Sequence, residues 1–389
     1  MWYFRSPEIV FGEDALDRLT MLSGQQAVIV TDRTMVRLGH VNRVVEKLQA
    51  AGISCRIFSD VDGEPTLPVI QAGAEVMNTE SPDWIVGLGG GSAMDAAKAM
   101  WALYENPDLD VLSINPFEPL TVRRKARLVA ISATSGTGAE ATWAVVLTDP
   151  ADRRKIAIGA PELLPDIAIV DPSLAATMPP QLAADTGMDA LTHAIEGFTS
   201  TWSNDFADGL CLHAARLIFT CLPRSVADPG DSEARAKMHY AAAIAGLGFI
   251  NSMCSLAHAM GHSLGAVFHL PHGRAVGLAL PYTIQFTAHG DAPTRYPELA
   301  ALLGLPASTP AESAASLVSA VRNLARQIGQ PLTIAEALDI SRQEFEKHLD
   351  VLVDHTENDS QFVTAPRLPS TEEVRRLFLA AFDGEEVGW

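Results

Sequence analysis

The run Asp83–Tyr104, DWIVGLGGGSAMDAAKAMWALY, constrains the fold more than any other stretch. A short apolar strand over 83–87 leads straight into a glycine turn and then a long alanine-rich helix. Glycines between a strand and a helix let backbone N–H groups close around an anion, and the helix N-terminus adds positive potential. Gly89, Gly90 and Gly91 are therefore candidate phosphate contacts. Ser92 is suited to cap the helix or to hydrogen-bond a phosphate, and Asp95 also fits a capping role. The pattern departs from a strict GxGxxG because Ser92 stands at the last glycine. It also lacks the Gly-Lys-Ser/Thr of a P-loop.

The same rhythm surrounds this unit. Strands are expected at 7–12, 26–32, 54–59, 127–131, 156–158 and 165–170, and helices at 13–22, 41–51 and 67–79. Strands that alternate with helices in this way predict a parallel, doubly wound, Rossmann-like sheet. Asp32 ends an earlier strand, where a carboxylate can accept hydrogen bonds from the adenosine ribose and repel a 2′-phosphate. The blander alternative for Asp32 is an ordinary helix cap. The loop SATSGTGAEAT, 132–142, is polar enough to contact phosphate, ribose or nicotinamide, or is simply a hydroxyl-rich connection. Arg153–Lys155 give the short strand after it a basic end. The Pro-containing segment 171–183 marks a boundary, dividing an α/β domain, 1–178, from a second domain, 179–389.

Beyond that boundary the pattern is helical throughout, with helices at 181–200, 205–221, 232–253, 255–267, 274–288, 311–328, 333–337, 341–353 and 371–383. In TGMDALTHAIEG, Asp189 and His193 stand four apart on an apolar helix and so share a face. In CSLAHAMGHSLGAVFHLPHG, His258 and His262 repeat that spacing, and His272 sits in a Pro-His-Gly turn. Five of the 11 histidines fall between 239 and 272, which favours a site over scattered core histidines. One Asp and several His suit a divalent transition metal, although spacing alone does not select four ligands from these five candidates. Metal and dinucleotide on separate domains would place the chemistry in a cleft between them.

Composition narrows the function classes. With 48% hydrophobic and 19% charged residues the chain can bury a large core. Its net charge of −19 repels phosphate backbones and anionic membranes. Nucleic acid and membrane are thus excluded as expected partners. Four scattered cysteines without a CxxC pair predict free thiols in a reducing compartment. The start MWYFRSPEIVFGED has no basic-then-apolar signal pattern, and Ala241–Ala257 is too short and interrupted to span a bilayer. A cytoplasmic protein is expected.

The motifs GLGGGSAMDAAK, TSGTGAE, LLPDIAIVDPSLAATMPP, TGMDALTHAIE, LAHAMGHSLGA and LPHGRAV, in this order, resemble the iron-containing (group III) alcohol dehydrogenases. The likeness runs from PEIVFG to APRLPSTEEV. It implies a dehydroquinate synthase-like architecture, an α/β dinucleotide domain followed by an all-helical metal-binding catalytic domain. It implies Asp189, His193, His258 and His272 as ligands of Fe2+, with Zn2+ as the alternative, and places His262 near metal and nicotinamide as a candidate catalytic proton carrier. It assigns NAD, in preference to NADP, to Asp32, Gly91, Ser92, Asp95, Thr134, Ser135, Thr137, Thr142 and Lys155. Two departures stand out: Glu64 replaces the Asn of the family's Asn-Pro-Thr, and Ala133 and Ala139 replace hydroxyl residues. The implied reaction is hydride exchange between NAD(H) and a small primary alcohol, diol or aldehyde whose oxygen the metal polarises. Phe249, Asn251 and Phe268 are candidate pocket residues, with Arg274 as a candidate partner for a substrate carboxylate. Glycerol dehydrogenase-like and lactaldehyde or hydroxyacid oxidoreductases, and dehydroquinate synthase-like lyases, are the alternatives. The family also implies a homodimer, with the N-terminal strand as a plausible pairing edge.

Overall fold

The core of the N-terminal region is a sheet whose central strands are apolar and buried on both faces. The structure is a computed structural model and describes residues 3–149, 154–291 and 293–389. It divides into two compact units, Met1–Thr177 and Met178–Trp389. In the first, six strands run β1 (Glu8–Phe11), β2 (Gln26–Val30), β3 (Ser54–Phe58), β4 (Trp84–Gly89), β5 (Arg127–Ser132) and, last in the chain, β8 (Ile167–Val170). They form one sheet in the order β1-β8-β5-β4-β2-β3, with every pairing parallel. Alternate residues of a strand face opposite sides. Val28 and Val30 join one apolar layer with Met100 and Trp101, whereas Ala27 and Ile29 join another with Val41, Val44 and Leu48. Helices α1 (Arg33–Arg37), α2 (His40–Ala50), α3 (Leu67–Glu80), α4 (Gly91–Glu105) and α5 (Pro172–Ala175) complete this α/β unit.

Two expectations need correction here. The stretch 13–22 forms a 3-10 helix, Ala15–Met21, rather than an α-helix. The strand expected at 156–158 is not part of the parallel sheet. It is β7 (Arg154–Gly159), paired antiparallel with an unanticipated β6 (Ala144–Asp149) in a separate hairpin. A short apolar run such as AVVLTD has no period that marks it as a strand. Arg153 lies outside the described residues.

The second unit is helical among its described residues: α6 (Pro180–Thr199), α7 (Asp205–Ala227), α8 (Ser232–Ile250), α9 (Leu256–Phe268), α10 (His272–Ala288), α11 (Tyr296–Leu302), α12 (Pro310–Gln327), α13 (Ile334–Leu338), α14 (Arg342–Glu346), α15 (Leu349–Glu357) and α16 (Thr371–Asp383). α11 escapes the sequence pattern, and α7 continues past Pro223 instead of stopping before it. α7 is also long and apolar enough to cross a membrane by length and composition. Its Cys211, Ala214, Ala215, Ile218 and Leu222 are instead buried in the helical core. His272 is the first residue of α10, not part of a free turn.

Candidate metal centre and dinucleotide site

Three helices of the second unit bring the histidine motifs together. Asp189 and His193 project from one face of α6, His258 from α9, and His272 from the first turn of α10. The close approach of α10 to α6 depends on Gly273. A Cβ there would lie 2.0 Å from the Asp185 carbonyl oxygen and 2.9 Å from the Asp189 Cβ, so no other residue fits without moving α10. The Oδ1 of Asp189 then lies 3.3 Å from His272 Nε2, 3.7 Å from His193 Nε2 and 3.8 Å from His258 Nε2. One donor atom from each of the four residues falls within 4.8 Å of the others.

The surroundings of these atoms fit a cation. Asp189 Oδ1 and His258 Nε2 are buried and lack a hydrogen-bond partner, a condition that ordinarily costs free energy. Burial acts to raise the Asp189 carboxyl, but the imidazoles of His193, His272 and His258 outweigh it and hold the group well below the usual carboxylate range. A carboxylate with three imidazole nitrogens is a donor set for iron or zinc rather than for calcium or magnesium.

His262 is set apart from this quartet. Its ring stacks on His272 with centroids 5.2 Å apart, and its Nδ1 lies 2.7 Å from Asp359 Oδ2. His258 has its own carboxylate, Glu196, whose Oε2 is 2.6 Å from Nδ1. Burial acts to raise Glu196, yet its contacts with His258 and backbone amides lower it overall. Sequence reasoning missed both partners. Glu196 is legible in principle, because it lies seven residues after Asp189 on the same helix, two turns along the same face. Asp359 follows α15, some 97 residues from His262, and no local signal points to it. Phe249 stacks on His193 at 4.2 Å. Phe268 packs against Phe345, and Arg274 is held by both carboxylate oxygens of Asp185, at 3.0 and 3.1 Å. Arg274, the candidate partner for a substrate carboxylate, is thus paired with a carboxylate of the protein.

In the first unit, the C-terminal ends of three neighbouring strands converge. Gly89, at φ +146°, has a backbone that suits glycine, and a Cβ there would lie 3.2 Å from Asp32 Oδ2. A Cβ on Gly90 would lie 3.4 Å from Thr134 Cγ2, and one on Gly91 only 2.9 Å from Thr137 Cγ2. Asp32, the glycine turn and the hydroxyl loop are therefore adjacent. Thr134 Oγ1 is buried without a partner. The cap of α4 is Gly90, with no side-chain cap, so Ser92 does not cap the helix and the leading amides stay open to an anion. Asp32 does cap α1, since its Oδ1 accepts from the amides of Thr34 and Met35 at 2.7 and 3.0 Å.

The remaining candidates have partners within the protein. Asp95 is not a cap: it is buried, accepts from the Val146 amide at 2.9 Å, and is pushed up to about 6 by burial. Thr142 Oγ1 accepts from the fully buried Lys98 ammonium, which also donates to the carbonyls of Ala139 and Ala144. Thr137 Oγ1 accepts from the Ala139 amide, and Ser135 is buried in the same loop. Lys155 pairs with Glu64, the residue that replaces the family's Asn, and Glu64 also accepts from Thr148 Oγ1 at 2.8 Å.

Residues 6–172 match the model of the iron-containing alcohol dehydrogenases, and residues 183–382 that of the Fe-containing alcohol dehydrogenase family C-terminal region. The chain therefore belongs to the iron-containing alcohol dehydrogenase family. It is an oxidoreductase that interconverts an alcohol and its aldehyde. It is 38% identical to an NADPH-dependent butanol dehydrogenase of Clostridium saccharobutylicum over 98% of this chain and 97% of that protein. An aldehyde-alcohol dehydrogenase of Streptococcus pneumoniae is also 38% identical, over 92% of this chain, which spans only 43% of that longer protein. An iron-containing alcohol dehydrogenase from Thermococcus thioreducens superposes with a TM-score of 0.90 at 32% identity, covering 99% of this chain and all of that one.

Proposed function

We propose that Asp189, His193, His258 and His272 hold one divalent iron, with zinc as the substitute, and that the enzyme exchanges hydride between NAD(H) and a small primary alcohol or diol and its aldehyde. The observation that carries this reading is the quartet of donor atoms within 4.8 Å, two of them buried and unpartnered. When bound in these sites, the cation would supply Lewis acidity toward the substrate oxygen and the dinucleotide would supply the hydride chemistry. The residues of the chain do the rest. Gly89, Gly90 and Gly91 with the amides of α4 receive the pyrophosphate. Thr134 offers an unused hydroxyl, and Ser92, Ser135 and Thr137 complete that polar lining. Asp95 and Thr142, together with Lys155 of the hairpin, support the same site.

Asp32 favours NAD, because a carboxylate at the end of β2 repels a 2′-phosphate. The butanol dehydrogenase relative, named as NADPH-dependent, makes this preference worth a direct measurement. His262, held at Nδ1 by Asp359, offers its other nitrogen to carry the alcohol proton. The first unit serves as the dinucleotide domain and the second as the metal-binding catalytic domain. A homodimer in the cytoplasm fits the four free cysteines and the exposed edge of β1.

The test is a screen of small alcohols and aldehydes followed at the nicotinamide absorbance, with enzyme loaded with iron, with zinc, or stripped of metal. Turnover restored by iron, with NAD favoured over NADP, is expected. Equal turnover by stripped enzyme would remove the metal from the reading.

A further inference from the structure

Glu196 makes more of its two oxygens than any other carboxylate near the quartet. Oε1 accepts from the Ala257 amide at 2.6 Å and the Ser255 hydroxyl at 2.9 Å. Oε2 accepts from the amides of Ser255 and His258 at 3.1 and 3.3 Å, and meets the His258 ring at Nδ1 at 2.6 Å. Backbone amides can only donate, so the carboxylate that receives them acts as an acceptor on both oxygens. The contact with His258 therefore places a proton on Nδ1, so that in the neutral ring Nε2 is the nitrogen that carries the lone pair. That Nε2 is the buried, unpartnered atom that faces Asp189.

The same carboxylate also ends a helix. Ser255, the N-cap of α9, makes no side-chain cap of its own, and Glu196 reaches across from α6 to receive the first amides in its place. Ring plane, tautomer and helix position are thus fixed by one group. α6 supplies Asp189 and His193 directly, and through Glu196 it also sets the third ligand.

We infer that Glu196 is a positioning residue for the metal centre, holding His258 as the Nδ1–H tautomer with its Nε2 lone pair directed at the other three donors. This rests on the proposed metal reading and adds to it a carboxylate behind the ligand. Carboxylates that accept the second N–H of a metal-bound imidazole commonly change metal affinity by about 10- to 100-fold when removed.

The experiment uses Co2+ as the probe on the full chain, with Glu196→Gln, Ser255→Ala and His272→Ala beside the wild type. Affinity is read by chelator competition, and ligand geometry from the Co2+ visible absorption bands. The metal-free wild type is also examined by NMR for the protonated nitrogen of His258, a measurement that does not depend on any variant folding. Expected results are an Nδ1–H tautomer, Co2+ affinity in Glu196→Gln roughly 10- to 100-fold weaker with displaced bands, and Ser255→Ala close to wild type. If wild type takes up no Co2+, or His272→Ala binds it equally well, the metal reading itself fails. If wild type binds through His272 but Glu196→Gln matches it in affinity and bands, Glu196 is no more than a helix cap and the inference is overturned. An Nε2–H tautomer in the wild type, or a loss in Ser255→Ala equal to that in Glu196→Gln, overturns it as well.

Discussion

Asp359 Oδ2 lies 2.7 Å from Nδ1 of His262, and the other oxygen of that carboxylate accepts from the Gln361 amide at 2.8 Å. The carboxylate is thereby aimed, and as an acceptor it holds the imidazole with Nδ1 protonated, which leaves Nε2 for the proton transfer proposed above. Asp359→Asn keeps the shape but lets the amide donate to Nδ1, which favours the opposite tautomer. We expect kcat to fall by about 100-fold or more while bound metal stays at wild-type level. Steady-state rates with iron content measured on the same samples check this. A variant that loses metal and rate together would show that Asp359 supports the fold of the site and not the proton transfer.

His272→Ala should have the opposite signature. Its Nε2 is the imidazole nitrogen nearest Asp189 Oδ1, at 3.3 Å, and without it the carboxylate loses one of the groups that offset its burial. Metal content and turnover should drop together by more than about 100-fold, since a direct ligand outweighs the partners behind it. Elemental analysis after dialysis, paired with the alcohol assay, reads both. Retained iron with lost activity would mean that His272 acts on substrate instead.

The two-layer logic of the chain was readable because its signals are local. Val28 and Val30 against Ala27 and Ile29 show the strand period, and Asp189 with His193 shows the helix period. What spacing could not give is anything decided by tertiary contact. His262 shares a helix face with His258, so spacing does not separate it from His272; the family resemblance implies His272, and the approach of α10 at Gly273 brings a His272 nitrogen within 4.8 Å of the other three donors. Asp95 reads as a cap by position, but β6 packs over it and takes its carboxylate for the Val146 amide. Lys98 looks like a surface residue of an alanine-rich helix until the hairpin buries it completely. Asp359 is set by chain topology, which no window of sequence displays.

Asp32→Gly separates cap from cofactor. The Asp32 carboxylate caps α1 through Oδ1, and glycine is itself a tolerated N-cap, so the stability cost should be only a few tenths of a kcal/mol. Its Oδ2 is the atom beside Gly89. Removing that charge should raise kcat/KM for NADP relative to NAD by roughly tenfold or more, equivalent to about 1.4 kcal/mol. Kinetics with both cofactors, alongside a thermal melt, settle the matter. An unchanged ratio with a lowered Tm would leave Asp32 as a cap alone.

Glu140 gives a pH dependence with a defined sign. Burial pushes its carboxyl from 4.5 up to about 7, against smaller opposing effects from a backbone amide, Ser132 and Lys98, and its Oε2 has no hydrogen-bond partner. Between pH 4.5 and 7 the unfolded chain has already released this proton while the folded chain keeps it. Stability must then fall as pH rises through that window, at up to about 1.4 kcal/mol per pH unit. Asp95, pushed up to about 6, acts in the same direction between its ordinary value and pH 6. Glu140→Gln mimics the neutral folded form and cannot ionise, so it should match wild type near pH 4.5 and exceed it at pH 8 by on the order of 3 kcal/mol. The slope below pH 6 should persist in the variant because Asp95 remains. Urea denaturation at unit steps from pH 4.5 to 8 measures both curves, and parallel curves for the two proteins would sink the assignment of this burial penalty to Glu140.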